Sequence, residues 1–184
     1  MKKLMIAAAI VCAAVASQAS TYAWGQYDDS VYKAGTTEAY EGTAYLFDAG
    51  TLSTAAILTA FGKGEDVTVS AISTGTATEG YVDGEDGGSF TFDKYAALET
   101  WEAYYAIIDG NNIFISELSE VMAQATSTAD ITFGDVSAES QALPKDIAGG
   151  YQGAGWYTQS VPEPTSGLLL LLGVAGLALR RRRA

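Results

Sequence analysis

The sequence predicts a mainly β domain, an antiparallel sandwich or barrel-like sheet with one or two short helices. An N-terminal signal peptide and a C-terminal single transmembrane helix frame it. Three observations carry this. Short runs of alternating apolar and polar residues recur between stretches rich in Gly, Asp and Asn. Only Leu52 to Phe61 has the length and boundary residues of a good helix. Two uncharged apolar runs, Leu4 to Ala16 and Gly167 to Leu179, stand near the two ends of the chain.

The first run follows Met1-Lys2-Lys3 and precedes Ser17-Gln18-Ala19. A basic start, an apolar stretch and small residues at the two recognition positions predict a secretory signal peptide over residues 1–19, cut between Ala19 and Ser20 by signal peptidase. Cys12 does not make this a lipoprotein signal, because Val11 precedes it and it lies mid-run.

Residues 20–160 then form one acidic, β-rich extracytoplasmic domain. Tyr22 to Gly42, rich in Tyr and Gly, reads as strands and loop, and Thr43 to Phe47 as a strand. For the helix, Thr51 is the expected N-cap and Gly62 the stop. Val67, Val69 and Ala71 alternate with Thr68 and Ser70, the pattern of a half-buried strand. Asp83 to Gly88 is a loop by composition, and Phe90-Thr91-Phe92 a short strand. Asp109-Gly110-Asn111-Asn112 between Trp101–Ile108 and Ile113–Ile115 predicts a hairpin. Leu118, Val121, Met122 and Ala125 carry a helical period and predict the second short helix. Ile131 and Phe133 read as a strand, and Gly149 to Tyr157 as the link between domain and tail.

Composition restricts the chemistry. The chain has no histidine, and its single cysteine, Cys12, lies in the predicted signal peptide. Thiol catalysis, Ser-His-Asp triads and ordinary zinc sites are therefore excluded from the exported domain. Residues 20–160 hold twenty-one acidic side chains against four lysines, a net charge of −17. Such a surface repels nucleic acid. No cofactor is expected. Glu99 with Glu102, or Asp83 with Asp86, offers a carboxylate pair of the glycosidase type, but close pairs are common in so acidic a chain and read first as solvated surface. The Asp83 to Gly88 loop departs from the EF-hand pattern at Gly87 and reads as a turn before a calcium site. The tyrosines and Trp24, Trp101 and Trp156 read first as packing residues and second as sugar-stacking surfaces.

The tail, residues 161–184, has three parts. Val161-Pro162-Glu163-Pro164 resists helix and stays extended. Gly167 to Leu179 holds seven leucines in thirteen residues, and as the core of a helix over 166–179 it spans roughly 20 Å. That is short against a hydrocarbon core of about 30 Å. Arg180, Arg181, Arg182 and Arg183, in the basic end 180–184, fix that end in the cytoplasm.

The triplet Pro162-Glu163-Pro164, preceded by Val161 and followed by the apolar run and Arg180 to Arg183, resembles the PEP-CTERM sorting signal of Gram-negative bacteria. The resemblance covers about an eighth of the chain and does not extend to the domain. It implies processing by an exosortase-type transpeptidase, a partner that recognises the sorting residues Val161 to Pro164. It also implies an inner-membrane-anchored intermediate bound for the cell surface or extracellular matrix. For the domain, two readings stay open. One is a non-enzymatic surface or matrix protein. The other is a carbohydrate-binding or carboxylate-based glycan-active protein, with extracellular polysaccharide as its partner. Mass spectrometry of the exported protein is expected to find Ser20 as the first residue, and recovery of Met1 in that fraction would count against the signal peptide.

Overall fold

The computed structural model describes residues 20–28, 30–134 and 136–159. The predicted signal peptide and transmembrane helix lie outside the described residues. Within them, no helix is long and apolar enough to cross a membrane.

The fold is organised on one strand, β6 (Thr100–Asp109), whose run of apolar residues is buried on both faces. One edge of β6 pairs with β2 (Gly42–Asp48). The other edge carries two short strands in succession, β7 (Asn112–Ile115) beside its C-terminal half and β8 (Ser119–Met122) beside its N-terminal half. Ser116 makes that change of partner possible. Its backbone N–H donates to Tyr105 O at 3.0 Å, and its fully buried Oγ accepts from Tyr105 N–H at 2.9 Å, replacing a ladder carbonyl.

β1 (Ser20–Gln26) repeats the device. β9 (Thr128–Thr132) lies parallel along one edge, and β4 (Tyr81–Gly84) and β5 (Phe90–Phe92) share the other. β3 (Ser73–Thr78) joins β2 to β4. At the far end β11 (Gly155–Thr158) pairs with β7 and, in parallel, with β10 (Lys145–Asp146). The path is β10-β11-β7-β6-β2-β3-β4-β1-β5, with β8 on β6 and β9 on β1. Ser119 Oγ donates to Thr132 O at 2.8 Å between β8 and β9, but these strands form no ladder and the sheet does not close.

The coiled sheet makes two cores. Trp101, Ala103, Tyr105 and Ile107 of β6 face inward against Tyr22 and Trp24 of β1, Ile131 of β9, Phe114 and Trp156. Tyr104 and Ala106 face outward with Phe47, Ile113, Ile115 and Tyr157, under Ile57 and Leu58 of α1 (Thr54–Gly62). Phe47 and Tyr104 stack at 5.3 Å.

The mainly β class and the 109–112 hairpin stand. Gly110 takes φ 59°, as the first central position of a II′ turn requires. Several expectations need correction. The sheet is mixed rather than antiparallel, because β1–β9 and β10–β11 are parallel pairs. The helix is capped by Ser53, whose Oγ accepts from Ala56 N–H at 3.2 Å, and not by Thr51, which is drawn to Asp48. Gly62 is its last residue. Gly64, at φ 76°, makes the left-handed stop, with Glu65 N–H on Ala60 O and Gly64 N–H on Phe61 O.

Val67 to Ser70 form a 3-10 turn and not a strand. Asp66 accepts from Thr68 N–H at 3.0 Å and sets the turn, leaving Val69 79% exposed. The predicted helix at Leu118 to Ala125 is strand β8, where the free edge of β6 overrides the local period. The second helix is instead the single turn α2 (Ala138–Ala142). Asp83 and Gly84 belong to β4, and Glu85–Gly87 form a 3-10 turn. The supposed link Gly149 to Tyr157 contains β11, whose Trp156 and Tyr157 are fully buried.

Asp48, at the end of β2, ties three segments together. Its carboxylate is fully buried. It pairs with Lys94 and accepts from Thr51 Oγ1 at 2.6 Å, Tyr95 OH at 2.9 Å and Gly50 N–H at 2.9 Å. Burial by itself raises the carboxyl. The hydrogen bonds from Lys94, Thr51, Tyr95 and Gly50 outweigh burial and hold it below the usual carboxylate range. The folded value thus lies below the unfolded one of about 3.9. The contribution is complete above pH about 4 and is lost as pH falls through the folded value. Asp48→Asn is expected to lower stability at neutral pH by about 1.5–3 kcal/mol and to flatten the loss of stability below pH about 4. Urea unfolding followed by tryptophan fluorescence across pH reads both.

Candidate functional site

The sorting residues Val161, Pro162, Glu163, Pro164 and Arg180 to Arg183 lie outside the described residues, as does Ala19. Ser20 is described. It is the first residue of β1, buried, with its Oγ donating to Gln124 O at 2.9 Å.

The structure shows how the domain presents its C-terminal end. β11 runs between β7 and β10, with Gly155 opposite Ile115 and Thr158 opposite Asn112. It is held from several sides. Trp156 Nε1 donates to Tyr32 O at 2.7 Å. Lys145 Nζ donates to the carbonyls of Gln152, Gly153 and Ala154 at 3.1, 3.1 and 2.9 Å and lies 5.3 Å from the centre of the Tyr157 ring. Partial burial lowers the Lys145 ammonium from its ordinary value. Three carbonyl acceptors satisfy its three donors.

Gln159 is the final clamp. Its backbone N–H donates to Asn111 O at 3.1 Å, in the turn between β6 and β7. Its side-chain Nε2 donates to Gly62 O at 2.6 Å, one of the end-carbonyls that α1 leaves without a helical partner. The chain is thus fixed to the domain three residues before Pro162, within a covalent reach of about 11 Å. This clamp has no sequence signature, because an isolated Gln in a polar stretch has no period and no motif.

The other candidates fall apart as sites. Glu99 accepts from Ala96 N–H at 3.0 Å and serves a local turn. Glu102 lies on β6 opposite Glu120 of β8, both exposed. Glu85 of the expected loop accepts from Ser73 Oγ at 2.7 Å, and that Oγ in turn accepts from Trp24 Nε1 at 2.9 Å. Asp83 accepts from Tyr27 OH at 3.3 Å. Among the described residues, no three acidic, His or Cys side chains are grouped to hold a metal ion. Trp24, Trp101 and Trp156 are all core residues. Among the tyrosines, Tyr27 and Tyr81 differ, with 58% and 44% of their surface exposed on the outside of the sheet.

Gln159→Ala removes the donor to Gly62 O while leaving the backbone bond to Asn111. It is expected to cost about 1 kcal/mol of local stability. Amide hydrogen exchange at Thr158, Gln159 and Asn112 is expected to quicken about fivefold, with the exchange of β6 unchanged.

No curated protein and no solved structure matches the chain. A family model does: residues 160–183, starting at the residue after the Gln159 clamp, match the PEP-CTERM protein-sorting motif.

Proposed function

We propose that this chain is an exported protein whose folded domain is carried to a membrane-anchored intermediate and released or transferred by an exosortase-type transpeptidase acting at the tail. The carrying observation is the sorting-motif match at residues 160–183. The Gln159 clamp supports it from the side of the domain. A processing enzyme meets the Pro162-Glu163-Pro164 segment close to a fixed surface, and two prolines reduce the conformational freedom that binding must remove.

For the domain itself the reading is a non-enzymatic surface or matrix role. The chemistry of its buried groups supports this. Asp48 is saturated by four donors, and Tyr104 and Tyr105 are raised well above the usual phenol range by burial, so they stay protonated. Tyr104 OH donates to Leu52 O at 2.7 Å, and Tyr105 OH to Gln26 Oε1. Each of these groups completes a packing contact. The −17 charge of residues 20–160 favours solubility outside the cell and repulsion between copies.

Changing Pro162-Glu163-Pro164 to three alanines tests the sorting reading. Export and membrane insertion are expected to continue, while the protein accumulates uncleaved in the inner membrane, read by immunoblot of membrane and medium fractions. Replacing Arg180 to Arg183 is expected to act differently, by weakening retention and orientation. A triple-alanine protein processed like the parent would leave the tail a plain anchor.

A further inference from the structure

The outer face of the sheet around β1 carries two solvent-exposed aromatic rings that belong to neither core. Along β1, Tyr22 and Trp24 point into the inner core while Ala23 and Gly25 face outward. Tyr27, just beyond the strand, lays its ring back over Gly25. A Cβ at Gly25 would come within 2.4 Å of the Tyr27 Cζ and hydroxyl. Glycine here is what lets the ring lie flat against the strand. The Tyr27 hydroxyl donates to Asp83 Oδ1 at 3.3 Å.

Tyr81 shares this face, since β4 pairs with β1 through Gly25–Asp83 and Gln26–Val82. On the other flank, β9 sets Asp130 opposite Ala23 and Thr132 opposite Gly25. Tyr27 is thereby the wall between two shallow clefts. One is lined by Tyr81, Asp83 and Thr76, the other by Asp130 and Thr132.

This combination has a definite chemical complement. A tyrosine ring offers a flat apolar face with a polar tip. Carboxylates accept hydrogen bonds, and threonine hydroxyls both donate and accept. A pyranose chain presents an apolar C–H face and hydroxyls around its rim, and so matches both kinds of group. The charge selects further. Two carboxylates on the face and −17 on the domain disfavour acidic polymers, nucleic acid and a second copy of this chain. We infer that Tyr27 and Tyr81, with Asp83 and Asp130 between and beside them, form a binding face for a neutral polysaccharide. The inference stands on the sheet face and does not depend on how the tail is processed.

The test uses the full chain in detergent micelles on an array of neutral and acidic oligosaccharides. At least one neutral glycan is expected to bind, and the acidic ones are not. Tyr27→Ala and Tyr81→Ala are each expected to lower that affinity about tenfold, the value of one lost aromatic contact. Tyr27→Phe keeps the ring and is expected to retain most of the binding. Gly25→Ala displaces the ring and is expected to act like Tyr27→Ala. Both tyrosines are exposed, so circular dichroism and the melting temperature should not change in the Tyr27 and Tyr81 variants. Absence of binding to every neutral glycan would overturn the inference, as would binding that both alanine variants leave intact or binding confined to acidic glycans.

Discussion

Strand β6 is hydrogen-bonded on both edges and packed on both faces, and the remaining architecture follows from satisfying it. The buried stretch of its backbone, Ala103 to Ile107, needs a partner for every N–H and C=O. β2 serves one edge alone. The other edge outruns β7, so β8 takes over after a break that Ser116 fills with a side-chain oxygen. The two faces then demand two covers. Coiling of the sheet brings β1 and β9 over Trp101 and Tyr105, while α1 lies over Tyr104 and Ala106. Asp48 sits where these covers meet. It ties the end of β2 to the turn before α1 and, through Lys94 and Tyr95, to the approach to β6.

Where local sequence and long-range packing agree, the elements were legible. The 109–112 turn chemistry, the two-faced apolar run of β6 and the position of α1 all follow from short-range signals. Failures came where a distant partner decided the outcome. β3, Ser-Thr-Gly-Thr-Ala-Thr, has no large apolar residue to announce a strand, because its inward positions face the Trp24 indole. A Cβ on Gly75 would come within 2.9 Å of that ring, and one on Gly84 within 2.2 Å. β8 has a helical period, but β6 offers it an unfilled edge. β11 is hidden among glycines that shape the loop around Lys145.

The candidate sites divide in the same way. The tail announces itself through composition, triplet and arginines, all of them contiguous in sequence. Gln159 and the Tyr27–Gly25 contact depend on neighbours brought together by folding. The aromatic residues are the clearest case. Composition treats all eleven tyrosines alike, and only folding separates Tyr27, just past β1, and Tyr81 of β4 from those buried in the cores.

β11 has a consequence for the order of events during export. It is an interior strand, hydrogen-bonded on both sides, and it is formed by the last described residues of the chain. A polypeptide that crosses a membrane from its N-terminus emerges without it. Until it arrives, the edge of β7 is unpaired, the aromatic ring of Phe114 lacks Trp156 at 5.5 Å, and α1 lacks the Gln159 amide. The fold is therefore completed only by the residues that immediately precede the sorting motif. A chain arrested before residue 155 would display an open sheet edge, the usual template for aggregation.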